Sequence, residues 1–193
     1  MITHLRGKLV EKNPTHVIIE CAGVGYFVNI SLYTYSLLRD EEHLLLYTHF
    51  QVREDAHTLF GFAERQEREI FRLLLTVSGI GASTARTMLS SLSPLQVRDA
   101  IANGNVPVIQ AVKGIGAKTA QRVILDLADK VLKVQGMAEV SPGSDNTNKE
   151  EALSALEVLG FVRKQAEKAV DKALDGDSAL SVEDIIKQAL KNL

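Results

Sequence analysis

A chain of 193 residues has room for one to three small domains with modest cores. Apolar residues make up 46% and charged residues 24%, ordinary for a globular protein, and no run approaches the ~18 apolar residues of a membrane span. Cys21 is the single cysteine, which excludes a disulfide framework, a Cys-rich zinc site and a cysteine-ligated iron–sulfur cluster. The opening Met1-Ile-Thr-His-Leu-Arg6 lacks the apolar core of a signal peptide, so a reduced, cytoplasmic setting is expected.

The net charge of −2 argues at first against a nucleic-acid partner. Its distribution reverses that reading. Residues 1–62 carry five basic and seven acidic side chains, residues 63–134 ten and six, and residues 135–193 seven and eleven. Positive charge is therefore concentrated in the middle of the chain, as a localised phosphate-facing surface would need.

Residues 1–62 read as five short strands, with runs at Leu9-Val10, His16–Glu20, Tyr26–Ile30, Leu44–Phe50 and His57–Phe62. Asn13-Pro14, Gly23-Val-Gly25 and Arg39–Glu42 punctuate them with turn chemistry. Five strands in so short a stretch predict a small closed barrel, of the OB or SH3-like type, the OB type being the commoner at this size. All five histidines (His4, His16, His43, His49 and His57) fall here, without metal-ligand spacing, and are expected to be surface or packing residues.

From Glu64 the period becomes helical. Ile70, Phe71, Leu74, Leu75 and Ser78 form a stripe that stops at a glycine, and further helices are expected at about 82–91, 94–102, 106–112 and 117–133. Residues 135–148 have the composition of a flexible linker. Residues 149–193 predict a three-helix domain with helices near 149–159, 163–174 and 182–192; Gly160 ends the first, and Ser181 with Asp184 starts the last.

The chemistry lies in a repeat. Gly79-Ile-Gly-Ala-Ser-Thr-Ala-Arg86 and Gly114-Ile-Gly-Ala-Lys-Thr-Ala-Gln121 agree at six of eight positions, 35 residues apart. Each lies between helical segments, the pattern of a helix-hairpin-helix motif. The glycines permit positive φ and close approach of another backbone. The following helix offers unpaired N–H groups and the positive end of its dipole to a phosphate. Such a turn reads no base edge, so binding is expected to be independent of sequence. Duplication sets this apart from an ordinary tight turn, because two related hairpins can grip both strands across one minor groove. The candidate contacts are Ser78, Gly79, Ile80, Gly81, Ala82, Ser83 and Arg86 in the first copy. In the second they are Lys113, Gly114, Ile115, Gly116, Ala117, Lys118, Thr119 and Arg122.

Enzyme motifs fail at defined positions. A P-loop needs glycines where Val112 and Ala117 stand, and a dinucleotide fingerprint needs a third glycine where Thr84 and Thr119 stand. The glycosylase variant of the second hairpin, with a nucleophile near Lys118, needs an aspartate on a following segment, where this chain has the Gly136 stretch. No catalytic residue and no cofactor are therefore expected. The alternatives in other classes are a helix-hairpin-helix nuclease or glycosylase acting alone, and a general DNA-bridging protein.

Val52-Arg-Glu-Asp-Ala56, Leu59-Phe-Gly-Phe62 and the two Gly-Ile-Gly hairpins together resemble the RuvA family of bacterial Holliday-junction-binding proteins. Leu5-Arg-Gly-Lys8 and Gly23-Val-Gly-Tyr26 belong to the same pattern, and the resemblance spans the whole chain. It implies an α+β multidomain protein in four parts: an OB barrel over 1–62 that builds a homotetramer, a tandem hairpin domain over 63–134 that holds each DNA arm, a linker over 135–148, and a three-helix domain over 149–193. Leu159-Gly-Phe161 in that last part resembles the turn of a ubiquitin-associated fold. The resemblance further implies pairs of tetramers in some members, docking of the RuvB hexameric ATPase on the third domain, and work alongside the RuvC resolvase. ATP and Mg²⁺ would be used by RuvB, and the setting would be the bacterial cytoplasm, at the nucleoid during repair.

By itself, Arg53-Glu-Asp-Ala-His57 between two strands is a solvated hairpin tip. The resemblance makes Glu54 and Asp55 an acidic pin, four copies of which meet where the strands of a junction cross. At ~8 Å in water each charge pair repels by about 0.5 kcal/mol, and several act together. One departure stands out: many relatives have a lysine just after the first hairpin where this chain has Ser83, and Arg86 is the nearby candidate to replace it.

Overall fold

The structure, a computed structural model, describes residues 1–39, 42–136, 145–174 and 180–193. They form two compact units, one within residues 1–139 and one within 140–193.

The first unit begins with a closed five-stranded barrel of β1 (His4–Asn13), β2 (His16–Cys21), β3 (Val24–Ile30), β4 (His43–Val52) and β5 (His57–Phe62). Strand order round the barrel is β1-β2-β3-β5-β4, antiparallel throughout except for the parallel β3–β5 pair. That order, with a helix α1 (Leu32–Leu37) between β3 and β4, is the OB type and removes the SH3-like alternative. Alternation sets the interior: Val17 and Ile19 on β2, Val28 and Ile30 on β3, with Leu5, Leu46 and Leu59, are all buried. Helix α1 has no counterpart in the sequence reading. Its six residues, Leu-Tyr-Thr-Tyr-Ser-Leu, are too few to show a period; its one local signal is the cap, Ser31 Oγ accepting from Thr34 N.

Five helices follow among the described residues of this unit. They are α2 (Arg65–Leu75), α3 (Ala82–Ser91), α4 (Pro94–Ala102), α5 (Val106–Gln110) and α6 (Ala117–Gly136). Ala120, Val123, Leu127 and Val131 give α6 a buried stripe against a core that also takes Ile70, Phe71 and Leu74 of α2. This core does not stop at the end of the barrel. Phe60 and Phe62 of β5 belong to it, their rings 5.2 and 4.9 Å from that of Phe71. Barrel and hairpin helices are thus one packed body.

A buried carboxyl sits at the same seam. Glu67 of α2 is fully buried and accepts hydrogen bonds from the hydroxyls of Ser31 and Thr34, which belong to the start of α1. Thr34 Oγ1 in turn accepts from Ala63 N at 3.0 Å. Burial pushes the Glu67 carboxyl up to about 7, outweighing the two hydroxyl donors, which favour the charged form; nearby Glu64 adds to the rise. On the other side of α2, Arg68 donates to Thr3 O at 3.0 Å, and Arg65 and Arg68 lie 5.2 and 5.4 Å from the Tyr47 ring. Among the histidines, His49 packs edge-on against Phe71 at 5.4 Å; burial, with Arg72 and Arg68 nearby, lowers its pKa.

The second unit contains α7 (Asp145–Val158), α8 (Arg163–Leu174) and α9 (Val182–Leu190). Leu153, Leu156, Val170 and Ile185 lead its small core. Gly160 follows α7 with φ +99°, and Ser181 Oγ caps α9 by accepting from Asp184 N. Of the residues expected to form a linker, Gln135 and Gly136 belong to α6 and Asp145–Asn148 to α7, while residues 137–144 lie outside the described residues.

Glu67 yields a signed pH prediction. A carboxyl whose folded pKa lies above its unfolded value of 4.5 stabilises the fold most below that value, and its contribution falls as pH rises to about 7. Between pH 5 and 8 the unfolding free energy of the wild type should therefore drop relative to that of Glu67→Gln, by an amount on the order of 3 kcal/mol across the window. Parallel melting curves for the two proteins across that range would show that Glu67 does not titrate there.

Candidate nucleic-acid interface

The two hairpins are built alike, bond for bond. Ile80 N donates to Val77 O at 3.0 Å and Ile115 N to Val112 O at 3.1 Å; Ala85 N donates to Gly81 O and Ala120 N to Gly116 O, both at 2.9 Å. Gly79 and Gly114 occupy the left-handed region at φ +94° and +90°, where a Cβ costs about 1–2 kcal/mol. These are the glycines the turn requires. Ile80 and Ile115 point inward, at 6% and 5% exposure, and staple each turn to the core.

The turns deliver α3 and α6 with their N-termini exposed. Gly81 enters α3 with extended backbone and has no side chain to cap it. The first N–H groups of each helix thus lack an intrahelical partner, and together with the dipole they favour an anion. The turns are also neighbours. Arg122 of α6 donates to Ser78 O at 3.3 Å, and a Cβ at Gly79 would lie 3.9 Å from the Thr119 side chain.

The candidate residues separate into three groups by position. Ser78, Gly79, Gly81 and Ser83, with Lys113, Gly114, Gly116, Ala117, Lys118 and Arg122, are exposed, and Thr119 is half-buried beside Gly79. Ile80, Ile115 and Ala82 are buried, so any part they play in binding passes through the backbone. Arg86 stands apart. Half-buried on α3, it donates from Nη1 to Asn29 Oδ1 at 2.9 Å and to Thr15 O at 3.4 Å, which ties the first hairpin's helix to the barrel. A guanidinium held in that way is a brace. Composition and spacing gave no sign of this role, because Asn29 and Thr15 are distant in the chain and meet Arg86 only through the fold.

Glu54 and Asp55 are exposed at the tip of the β4–β5 hairpin, in a tight turn closed by Arg53 N donating to Ala56 O at 2.9 Å. Asp55 and Ser83 line one groove, so the acidic tip and the first hairpin are neighbours across it. No group of three or more His, Cys, Asp or Glu among the described residues could hold a metal ion.

An OB barrel fused through a shared core to tandem helix-hairpin-helix turns defines a class, that of DNA-binding modules. Family models narrow it. The RuvA N terminal domain matches residues 1–61, a SAM-like helix-hairpin-helix tandem residues 71–129, and the RuvA C-terminal domain residues 147–193. Proteins called Holliday junction branch migration complex subunit RuvA are similar over essentially the whole length. That of Christiangramia forsetii is 65% identical and that of Flavobacterium psychrophilum 60%, each over 100% of both chains; that of Cytophaga hutchinsonii is 47% identical over 99% of both. The chain belongs to the RuvA family.

The positive-φ glycines can be tested directly. A Cβ at Gly114 would meet nothing within 4 Å, so Gly114→Ala carries a backbone cost alone. Urea unfolding should show a loss of about 1–2 kcal/mol, and Gly114→Asn should recover part of it, since Asn tolerates this conformation. Equal stability of Gly114→Ala and wild type would mean that the turn does not depend on its left-handed residue.

Proposed function

We propose that this chain binds four-way junction DNA as a homotetramer, holds the arms by paired hairpins without regard to sequence, and recruits the RuvB ATPase for branch migration in recombination and repair. The observation that carries the reading is the matched pair of Gly-Ile-Gly turns, which present the N-termini of α3 and α6, each entered from a glycine, side by side. Duplex phosphates from the two strands of one arm would be taken by those N–H groups, with Lys113, Lys118 and Arg122 adding charge. Ser78, Gly79, Gly81 and Ser83, with Gly114, Gly116, Ala117 and Thr119, would let the backbone approach closely. Glu54 and Asp55 would stand at the crossover as a repelling pin, four copies around the tetramer axis, parting the strands without anchoring any one sequence.

The chain itself performs no catalysis; it is the DNA-binding subunit of a complex whose ATPase is RuvB. No cofactor is needed for its own role, ATP and Mg²⁺ serving the motor. The helical unit within 140–193 would dock RuvB, and a tether would keep the motor at high effective concentration. Pairing of two tetramers and cooperation with RuvC belong to the same reading. No helix among the described residues is long and apolar enough to cross a membrane, and a cytoplasmic setting near the nucleoid follows from the DNA substrate.

Gel shifts with a four-way junction against a linear duplex of equal length test the reading, and equal affinity would refute junction selectivity. Incubation with Mg²⁺ and no partner should leave the DNA uncut, whereas cleavage would favour the nuclease alternative. Lys118→Gln should weaken binding to junctions of unrelated sequence equally and lower the salt dependence by about 0.9 per lost phosphate contact. Glu54→Gln with Asp55→Asn should leave junction affinity intact while changing migration rate or junction selectivity. If both properties match the wild type, the pin has no role.

A further inference from the structure

Register exposes a gap in the first hairpin. With the repeat offset of 35, Lys118 of the second copy corresponds to Ser83 of the first, and Gln121 to Arg86. The first hairpin thus lacks the cation of the second at the equivalent position. Its own arginine is engaged elsewhere: Arg86 is bound to Asn29 Oδ1, and Asn29 is oriented for it by donating from Nδ2 to Leu59 O at 3.3 Å. Arg86 Nη1 is thereby committed to the barrel, at Asn29 Oδ1 and Thr15 O.

The groove that Ser83 faces contains another cation. It has a volume of about 230 Å³, and Gln51, Arg53, Asn29, Ser83 and Arg86 contribute to its walls together with Asp55. Arg53 begins the turn of the acidic tip. Its backbone is held by the Arg53 N to Ala56 O bond, yet its exposed side chain makes no hydrogen bond or ion pair among the described residues. The Ser83 hydroxyl is likewise unengaged there, as its carbonyl alone accepts, from Thr87. The groove therefore brings a guanidinium and a hydroxyl that are unengaged among the described residues, with an amide, to the head of a helix that no side chain caps. A phosphodiester fits this donor set, with two of its oxygens open to a planar guanidinium.

We propose that this groove holds one phosphodiester of the DNA strand running from the first hairpin toward the crossover, that Arg53 supplies the cation Ser83 does not, and that Arg86 is a positioning residue. The inference rests on the junction-binding reading above. Asp55 in the same groove gives the contact a direction: Arg53 draws one phosphate in, and the neighbouring carboxylate repels the next. The tip then holds and turns a strand with adjacent residues of opposite charge.

The test uses the full chain and a salt titration of junction binding. Arg53→Gln should lower the slope of log affinity against log salt by about 0.9 per protomer bound, roughly 3–4 for a tetramer on one junction. At ~0.1 M salt the loss of affinity should be tenfold or more. Adding Ser83→Lys, which returns a cation to the same groove, should restore both. An unchanged slope in Arg53→Gln overturns the proposal, and so does a lost slope that Ser83→Lys fails to restore. Because Arg53 and Ser83 are exposed and make no side-chain contacts of this kind among the described residues, unchanged melting curves should accompany both variants. Equal wild-type affinity for junction and duplex would overturn the junction reading instead, and the Arg53 slope would then be read on the duplex.

Discussion

The contact of Phe71 with Phe60 and Phe62 is the constraint on which the rest of this protein depends. It makes the last barrel strand part of the helical core, so the acidic tip at the near end of that strand and the hairpins cannot move independently. A junction-binding protein needs this. On the proposed reading, attraction by the hairpins and repulsion by the tip would act on the same strands, and their separation would decide whether a strand is merely held or also bent. Each buried aromatic contributes on the order of 2–3 kcal/mol to that shared core.

Polar contacts around that seam refine what the apolar core begins. Glu67 reaches from α2 to both hydroxyls at the start of α1, Arg68 reaches Thr3, and Arg86 reaches Asn29 and Thr15. Hydrogen bonds of this kind add little net stability, but the buried Glu67 contacts punish misplacement, since a buried partner left unpaired costs ~1–3 kcal/mol. They specify one angle between barrel and hairpins out of the several that apolar packing would tolerate. Arg122, joining α6 to the first turn, does the same between the hairpins.

The two hairpins share a backbone and differ in their surroundings. The second presents Lys118 to solvent; the first presents Ser83 to a groove shared with the barrel. Duplication supplied the geometry twice, and the barrel beside one copy allowed its cation to come from elsewhere. Sequence-independent binding tolerates such exchange, because a phosphate responds to the position of a charge and not to the chain segment that carries it.

The repeat, the positive charge of the central segment, the barrel strands and most helix boundaries were legible in the chain itself, because each rests on local rules: glycine at positive φ, period 2 or 3.6, a serine cap. The resemblance carried by Val52–Ala56 and the Gly-Ile-Gly turns extended that to a family. Helix α1 was not legible, being too short for a period, nor was the extent of α6 and α7 past a polar composition. Long-range pairing was invisible altogether. That Glu67 is buried, that Arg86 braces the barrel, and that Arg53 and Ser83 share a groove depend on residues 30 or more positions apart, whose meeting is set by how β5 packs on α2. Local chemistry determined what each segment could do; the shared aromatic core decided which of those capacities face the DNA together.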